Sequence, residues 1–236
     1  VATKLVLAQH PEAVILNAYL KNEHEDNRRF LADCERWFGK EITVIKDEKY
    51  GADVIEVFRR ERFIRGISGA SCTKRIKRGL LDKWKRPDDV MVLGFTAEEQ
   101  DRADDFTEAW PDRKVLFPLI ERGLTKNDCK AMIERSGIVL PLMYRMGYQN
   151  ANCIACVKGG MGYFRSIRHD FPEQFYALAK VESEIGPSAY ILRHQSGPNK
   201  GERFSLYDLP AGPIDRKEHL PDCGLFCETA EREYSA

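Results

Sequence analysis

The sequence predicts a doubly wound, mostly parallel α/β sheet with a small irregular C-terminal extension, and two patterns point to it. Short apolar runs of strand length alternate with helical stretches of ten or more residues over the first 185 positions, as they do in βαβ units. After about residue 186 the alternation gives way to a hairpin-like stretch and an irregular tail. Residues 1–185 are therefore read as one α/β domain and residues 186–236 as a hairpin and a cysteine-bearing tail.

The elements follow in order. "VATKLVLAQHP" is a helix in which Val1, Leu5 and Ala8 share a face, and Pro11 ends it. "AVILNAYL" has the length and composition of a strand, "HEDNRRFLADCERWFG" is a helix stopped by Gly39, and "EITVIKD" alternates as a strand does. The segment 51–66, "GADVIEVFRRERFIRG", predicts a helix, and "CTKRIKRGLLDKW" predicts another with basic residues in its first turns. "DDVMVLGFT" is a strand that runs into a glycine turn before the acidic helix "AEEQDRADDF". "RKVLFPLI" is a strand, and "TKNDCKAMIERSG" is a helix with Thr125 as its N-cap. "NANCIACVKGGMGYF" reads as a tight polar turn opening through glycines into a helix. Beyond residue 186, "YILRHQSGPNKGERFSLYDLP" predicts a hairpin across a Gly/Pro/Asn turn. In doubly wound sheets ligands bind beyond the carboxyl ends of the strands, which gathers the loops after Leu20, Ile45 and Leu93 around one site.

At 236 residues and 43% hydrophobic content the chain can bury a core of its own. Lys and Arg number 37 against 37 Asp and Glu, so no global field recommends a polyanion as partner, and only local basic patches remain. No apolar run approaches the roughly 18 residues a membrane-spanning helix needs, and no charged-then-apolar leader opens the chain. The expectation is a cytoplasmic protein with no membrane partner, and a homo-oligomer.

Seven cysteines, an odd number without a secretory leader, favour metal or thiol chemistry over a disulfide frame. Cys34 and Cys129 fall within helical patterns and read as small buried side chains. Cys153 and Cys156 form a C-x-x-C turn, which brings two thiolates within reach of one metal ion, could instead be a redox pair, and could be two core residues. Two metal schemes are open. A zinc knuckle would use Cys153, Cys156, Cys223 and Cys227, stapling the tail to the core. An iron–sulfur cluster would use Cys72, Cys153, Cys156 and one tail cysteine. "SGASCTKRIKR" sets Lys74, Arg75, Lys77 and Arg78 beside the Cys72 thiol, where cations would lower its pKa and hold an anion close by.

With these residues in view, the chain resembles the phosphoadenosine phosphosulfate (PAPS) reductase family of the adenine-nucleotide PP-loop superfamily, over about residues 1–180 and faintly into the tail. "NEHEDNRRFLADCERWFG" resembles the family's stretch after its second strand, and "SCTKRIK" resembles its Cys-Thr-x-x-x-Lys element at Cys72, Thr73 and Lys77. "LGFTAEEQDRADDF" resembles the Gly-x-Arg-x-x-Glu-Ser-x-Arg loop, with Gly94, Glu99 and Arg102 in place and Thr96 where the family has arginine. The most specific match is "FPLIERGLTKNDCKAMIERSGIVLPLMYRMGYQNANCIAC", similar to the closing segment that ends in C-x-x-C.

The resemblance implies an adenine nucleotide alpha hydrolase-like sheet and an enzyme of sulfur chemistry. Its substrate would be a small-molecule nucleotide, PAPS in a reductase or ATP in a sulfurtransferase. Lys74, Lys77, Gly94, Glu99 and Arg102 are the implied nucleotide-binding residues, with Lys77 also catalytic. Cluster-bearing members place a cysteine pair ahead of the lysine; here Ser71 precedes Cys72, so a 4Fe–4S cluster would take Cys72, Cys153, Cys156 and Cys227. "DCGLF" resembles the Glu-Cys-Gly-Leu-His end motif, which makes Cys223 the attacking thiol, with Phe226 in place of the histidine. Exchange of the roles of Cys223 and Cys227 is the alternative. A thioredoxin-like thiol donor is the implied partner of a reductase, and nucleic acid that of a thiolation enzyme. The family's phosphate-gripping Ser-Gly-Gly-x-Asp-Ser loop is expected ahead of Val1. The rival from another class is a non-catalytic, zinc-stapled binding module on the same fold.

Overall fold

The structure, a computed structural model, describes residues 1–66, 69–218 and 220. It is a mixed α/β fold whose described strands are short and pair two by two. Helix α1 (Ala2–Leu7) leads to strand β1 (Leu16–Ala18), helix α2 (Asp26–Phe38) and strand β2 (Thr43–Ile45), and β1 pairs with β2. Gly39 closes α2 in the left-handed conformation, its N–H returning to the carbonyls of Glu35 and Arg36. Helix α3 (Val54–Glu61) begins at Asp53, whose side chain accepts the Ile55 N–H. An antiparallel pair, β3 (Arg65–Gly66) and β4 (Gly69–Ala70), comes next. Beyond Cys72 the backbone winds as a π-helix over Thr73–Arg78 and continues as helix α4 (Gly79–Trp84).

Strand β5 (Met91–Val92), helix α5 (Gln100–Ala109) and strand β6 (Val115–Leu116) form a βαβ unit, with Met91 opposite Val115 and Val92 opposite Leu116 in parallel register. Helix α6 (Lys126–Arg135) starts with Thr125 as N-cap in a reciprocal capping box with Asp128. Helices α7 (Leu142–Arg145), α8 (Met161–Asp170) and α9 (Pro172–Ile185) follow, then the antiparallel strands β7 (Leu192–Arg193) and β8 (Arg203–Phe204). Among the described residues no helix is long and apolar enough to cross a membrane.

The chain divides into two compact units. One comprises Val1–Asn17, Glu25–Ile45 and Leu81–Pro141. It buries Val6, Ile42 and Phe106, and the Phe117 ring lies 5.9 Å from that of Phe95 and edge-on to Phe106 at 6.3 Å. The other comprises Ala18–His24, Lys46–Leu80 and the described residues from Leu142 onward. Its core packs α9 against α3 and α8, with Phe58, Phe164, Ile167, Phe175, Leu178 and Leu206 fully buried. Each such side chain contributes about 1.5–3 kcal/mol by leaving water.

Two local expectations are corrected. The helix expected over 51–66 spans only Val54–Glu61, because Arg62 turns left-handed at φ 48° and the chain then pairs as β3. Phe63 outward and Ile64 buried follow a strand's alternation, which overrides the helical one. The helix expected over 72–84 does form, but with a π-helical first half. The hairpin expected after residue 186 is present, its pairing confined to Leu192–Arg193 and Arg203–Phe204.

Candidate functional site

The C-x-x-C turn is built in the second unit by the loop that follows β1. Glu23 bridges Cys153 in antiparallel fashion, and the Ile154 N–H donates to the Asn22 carbonyl at 2.9 Å. Asn22 is itself fixed, since its Nδ2 donates to Asp53 at 3.0 Å and its Oδ1 accepts the Val54 N–H at 2.8 Å. The loop after Leu20 is thereby locked to the start of α3, and the cysteine turn is locked to the loop. Between the two cysteines Ala155 adopts φ 58°, a left-handed conformation that costs a non-glycine residue about 1–3 kcal/mol and concentrates at functional sites.

Both cysteines are buried thiols. Tyr163, seven residues past Cys156, returns its hydroxyl to accept the Cys156 N–H at 3.0 Å. Burial holds the Tyr163 phenol well above its ordinary pKa, and the two nearby thiols push the same way, so it stays protonated. A water-sized cavity of about 10 Å³ lies beside Cys153, lined among others by Asn150, Asn152, Tyr163 and Leu220. The Asn152 Nδ2 is buried there with no hydrogen-bond partner among the described residues. Replacing Tyr163 with phenylalanine is expected to destabilise the protein by about 1–3 kcal/mol, because it strands the buried Cys156 N–H. Denaturant unfolding of the variant measures this.

Cys72 is half-buried and packs against the same core. Past it the basic strip divides. Arg75 lies on Glu61, with Nη2 at 2.6 Å and Nε at 3.1 Å from one carboxylate oxygen. Lys77 faces Glu23 at 3.8 Å, and Lys74 is exposed. Lys77 thus reaches the residue whose backbone bridges Cys153. In this way the unit joins the Cys72 helix, Lys77, the loop after Leu20 and the C-x-x-C turn.

Gly94, Glu99 and Arg102 belong to the first unit, at and beyond the end of β5. Glu99 accepts the Thr96 N–H at 3.0 Å and the Thr96 hydroxyl at 3.2 Å, and it pairs with Arg102, whose guanidinium lies 4.4 Å from the Phe95 ring centre. This arrangement orders the loop after the strand end as a capping box. Cys34 is buried and Cys129 half-buried, and burial raises both thiol pKa values, which keeps them as unreactive thiols. Cys223 and Cys227 lie outside the described residues.

Two buried thiols in one turn and an amide donor without a partner among the described residues suit an anionic, sulfur-ligated group, since amide N–H groups bond to ligand sulfurs. Among the described residues no set of three or more His, Cys, Asp or Glu side chains is gathered to hold a metal. Among the described residues Cys153 and Cys156 share one turn, and Cys72 is not gathered with them as a ligand set.

Comparison with known proteins finds no matching family model, no similar curated protein and no similar solved structure. Sequence reasoning singled out the loop after Leu20 but not Asn22 or Glu23 within it. It passed over Tyr163, for which the only signal is an aromatic residue one helical turn into the helix that follows the cysteine turn.

Proposed function

We propose that the chain is a PAPS reductase-like enzyme of sulfur chemistry on a doubly wound nucleotide-binding α/β fold. The observation that carries the reading is the joining of Cys72, Lys77 and the C-x-x-C turn within one unit, through Glu23. A basic side chain in the same unit as paired thiols is consistent with a reaction on an anionic sulfur centre. In the reductase form the Cys223 thiolate bonds to the sulfur of an adenylylated sulfonate. The S–O bond to the nucleotide phosphate breaks, and its electron pair leaves on that phosphate. A thioredoxin-class dithiol then supplies two electrons, releasing sulfite and restoring the thiol.

Lys77 and Lys74 offset phosphate or sulfonate charge, and Arg102, Glu99 and Gly94 shape the strand-end loop for the nucleotide. A 4Fe–4S cluster would take Cys153 and Cys156, with Cys72 and Cys227 as the further ligands that the resemblance implies, and would supply iron whose potential is tuned by burial and by hydrogen bonds to sulfur. ATP-dependent sulfur transfer is the sister reaction open to the same constellation.

Anaerobically purified protein is expected to be brown, with about four irons per chain. Cys223→Ser should abolish turnover and leave iron content intact, whereas Cys227→Ser should lower iron occupancy. Iron loss from the first variant alone would reverse the two roles. Colourless protein carrying one zinc per chain, with no turnover of PAPS, would replace the enzyme by a zinc-stapled binding module.

A further inference from the structure

The glycines after the C-x-x-C turn have a specific occupant. Gly160 and Tyr163 present their N–H groups at the first turn of α8, and the Glu218 carboxylate takes one with each oxygen, at 2.6 and 2.7 Å. A Cβ on Gly160 would lie 2.1 Å from one of these oxygens, and a Cβ on Gly162 2.7 Å from the other. The "GGMG" run is therefore cut to the shape of a carboxylate, at the helix end where backbone dipoles favour negative charge.

The segment that bears Glu218 is tied down on both sides. Arg168 and Arg165 of α8 donate to the carbonyls of Leu209 at 2.7 Å and Pro210 at 3.1 Å. Arg216 forks onto Asp170, with nitrogen-to-oxygen distances of 2.6 and 2.7 Å, and this pairing holds the Asp170 carboxyl far below the usual range. Two residues past Glu218, Leu220 is buried, accepts the Asn150 Nδ2 at 3.3 Å, and lines the cavity it shares with Cys153.

We propose that Glu218 is a positioning residue, and that its carboxylate, socketed on Gly160 and Tyr163, fixes the root of the C-terminal tail with position 220 beside Cys153. The benefit to catalysis rests on the function proposed above, whereas the socket itself does not.

The test compares the full chain with Glu218→Gln and Glu218→Asp. Glutamine keeps the shape but sets an NH₂ against one of the two N–H donors, while aspartate keeps the charge. In Glu218→Gln, hydrogen exchange at the Gly160 and Tyr163 amides and trypsin cleavage after Arg216 and Lys217 are each expected to rise at least about tenfold, since both report local opening. Glu218→Asp should stay within about threefold of the parent protein, and all three should share one melting temperature. Gly162→Ala, which keeps the charge but fills the socket, should reproduce the glutamine phenotype. Unchanged exchange in Glu218→Gln overturns the proposal, as does equal loss of protection in the glutamine and aspartate variants. Absence of sulfonucleotide turnover from every form would count against the function alone and leave the exchange result standing.

Discussion

Replacement of Glu182 by glutamine is expected to lower the unfolding free energy by about 2–4 kcal/mol, a large share of what a domain of this size commands. Glu182 sits on α9 with no exposed surface. One carboxylate oxygen accepts the Ile191 N–H at 2.7 Å, and the other accepts the Leu206 N–H at 2.7 Å and the Ser205 hydroxyl at 3.3 Å. It thereby fastens the segments flanking β7 and β8 to the helix. Glutamine offers a single acceptor oxygen, so its NH₂ must face a buried backbone N–H, donor against donor. The pH dependence gives a second reading. Burial outweighs the three donors and raises the Glu182 pKa above its ordinary value of 4.5. A carboxyl whose folded pKa is raised binds its proton more tightly in the folded state, so its contribution is greatest below about pH 4.5 and is lost as pH rises through the folded value. Urea unfolding across pH 4 to 8 should therefore show the gap between parent and variant narrowing as pH rises. A gap that widens would mean that the three donors, and not burial, dominate the site.

What was legible in the sequence is what local chemistry determines. Gly39 and Thr125 were identifiable as a stop and a start because a left-handed glycine and a hydroxyl followed three residues later by an acid act through their immediate neighbours. The parallel pairing of Met91–Val92 with Val115–Leu116 followed from strand-length runs separated by a helix. The end of α3 was not legible. "FRRERFIRG" keeps a helical spacing of apolar residues, and only the burial of Ile64 against distant parts of its unit turns the last of it into a strand. Glu182 was equally hidden, since a lone acid on a helix normally marks a solvated face, and its partners lie in segments that follow the helix.

The site divides along the same line. Spacing alone identified the C-x-x-C turn and the basic strip after Cys72. It could not show that Arg75 is absorbed by Glu61 while Lys77 turns to Glu23, because both acids lie far away in sequence. Glu99 and Arg102 illustrate the converse. Their spacing of three, legible as part of a nucleotide loop, is also the spacing at which neighbours on a helix meet, and here they pair with each other. Glu218 gave no local signal at all, because "RKEH" is an ordinary charged run until the glycines after Cys156 are set opposite it.

Gly79→Ala is expected to disturb the helix that follows Cys72 by crowding its own backbone. The Gly79 N–H returns to the Lys74 carbonyl, five residues back, and a Cβ on Gly79 would stand 2.7 Å from that oxygen. The obstacle is backbone, so it cannot swing aside as a side chain would, and overpacking of this kind costs about 1–3 kcal/mol. The φ of Gly79 is an ordinary −62°, so the requirement for glycine comes from close approach and not from handedness. The wider turn also decides which side chains share a face. In an α-helix, at about 100° per residue, Cys72 and Lys77 would point about 140° apart. With i→i+5 bonding and about 4.4 residues per turn, the same five steps leave them about 50° apart. The π-turn thus brings Lys77 round toward the side of the helix that carries Cys72. If alanine forces an α-helical rewind, Lys77 should leave Glu23. A fall in melting temperature of several degrees, with faster hydrogen exchange along residues 73–79, should accompany it. A variant as stable as the parent, with unmoved exchange over those residues, would show that the π-turn plays no part in assembling the site.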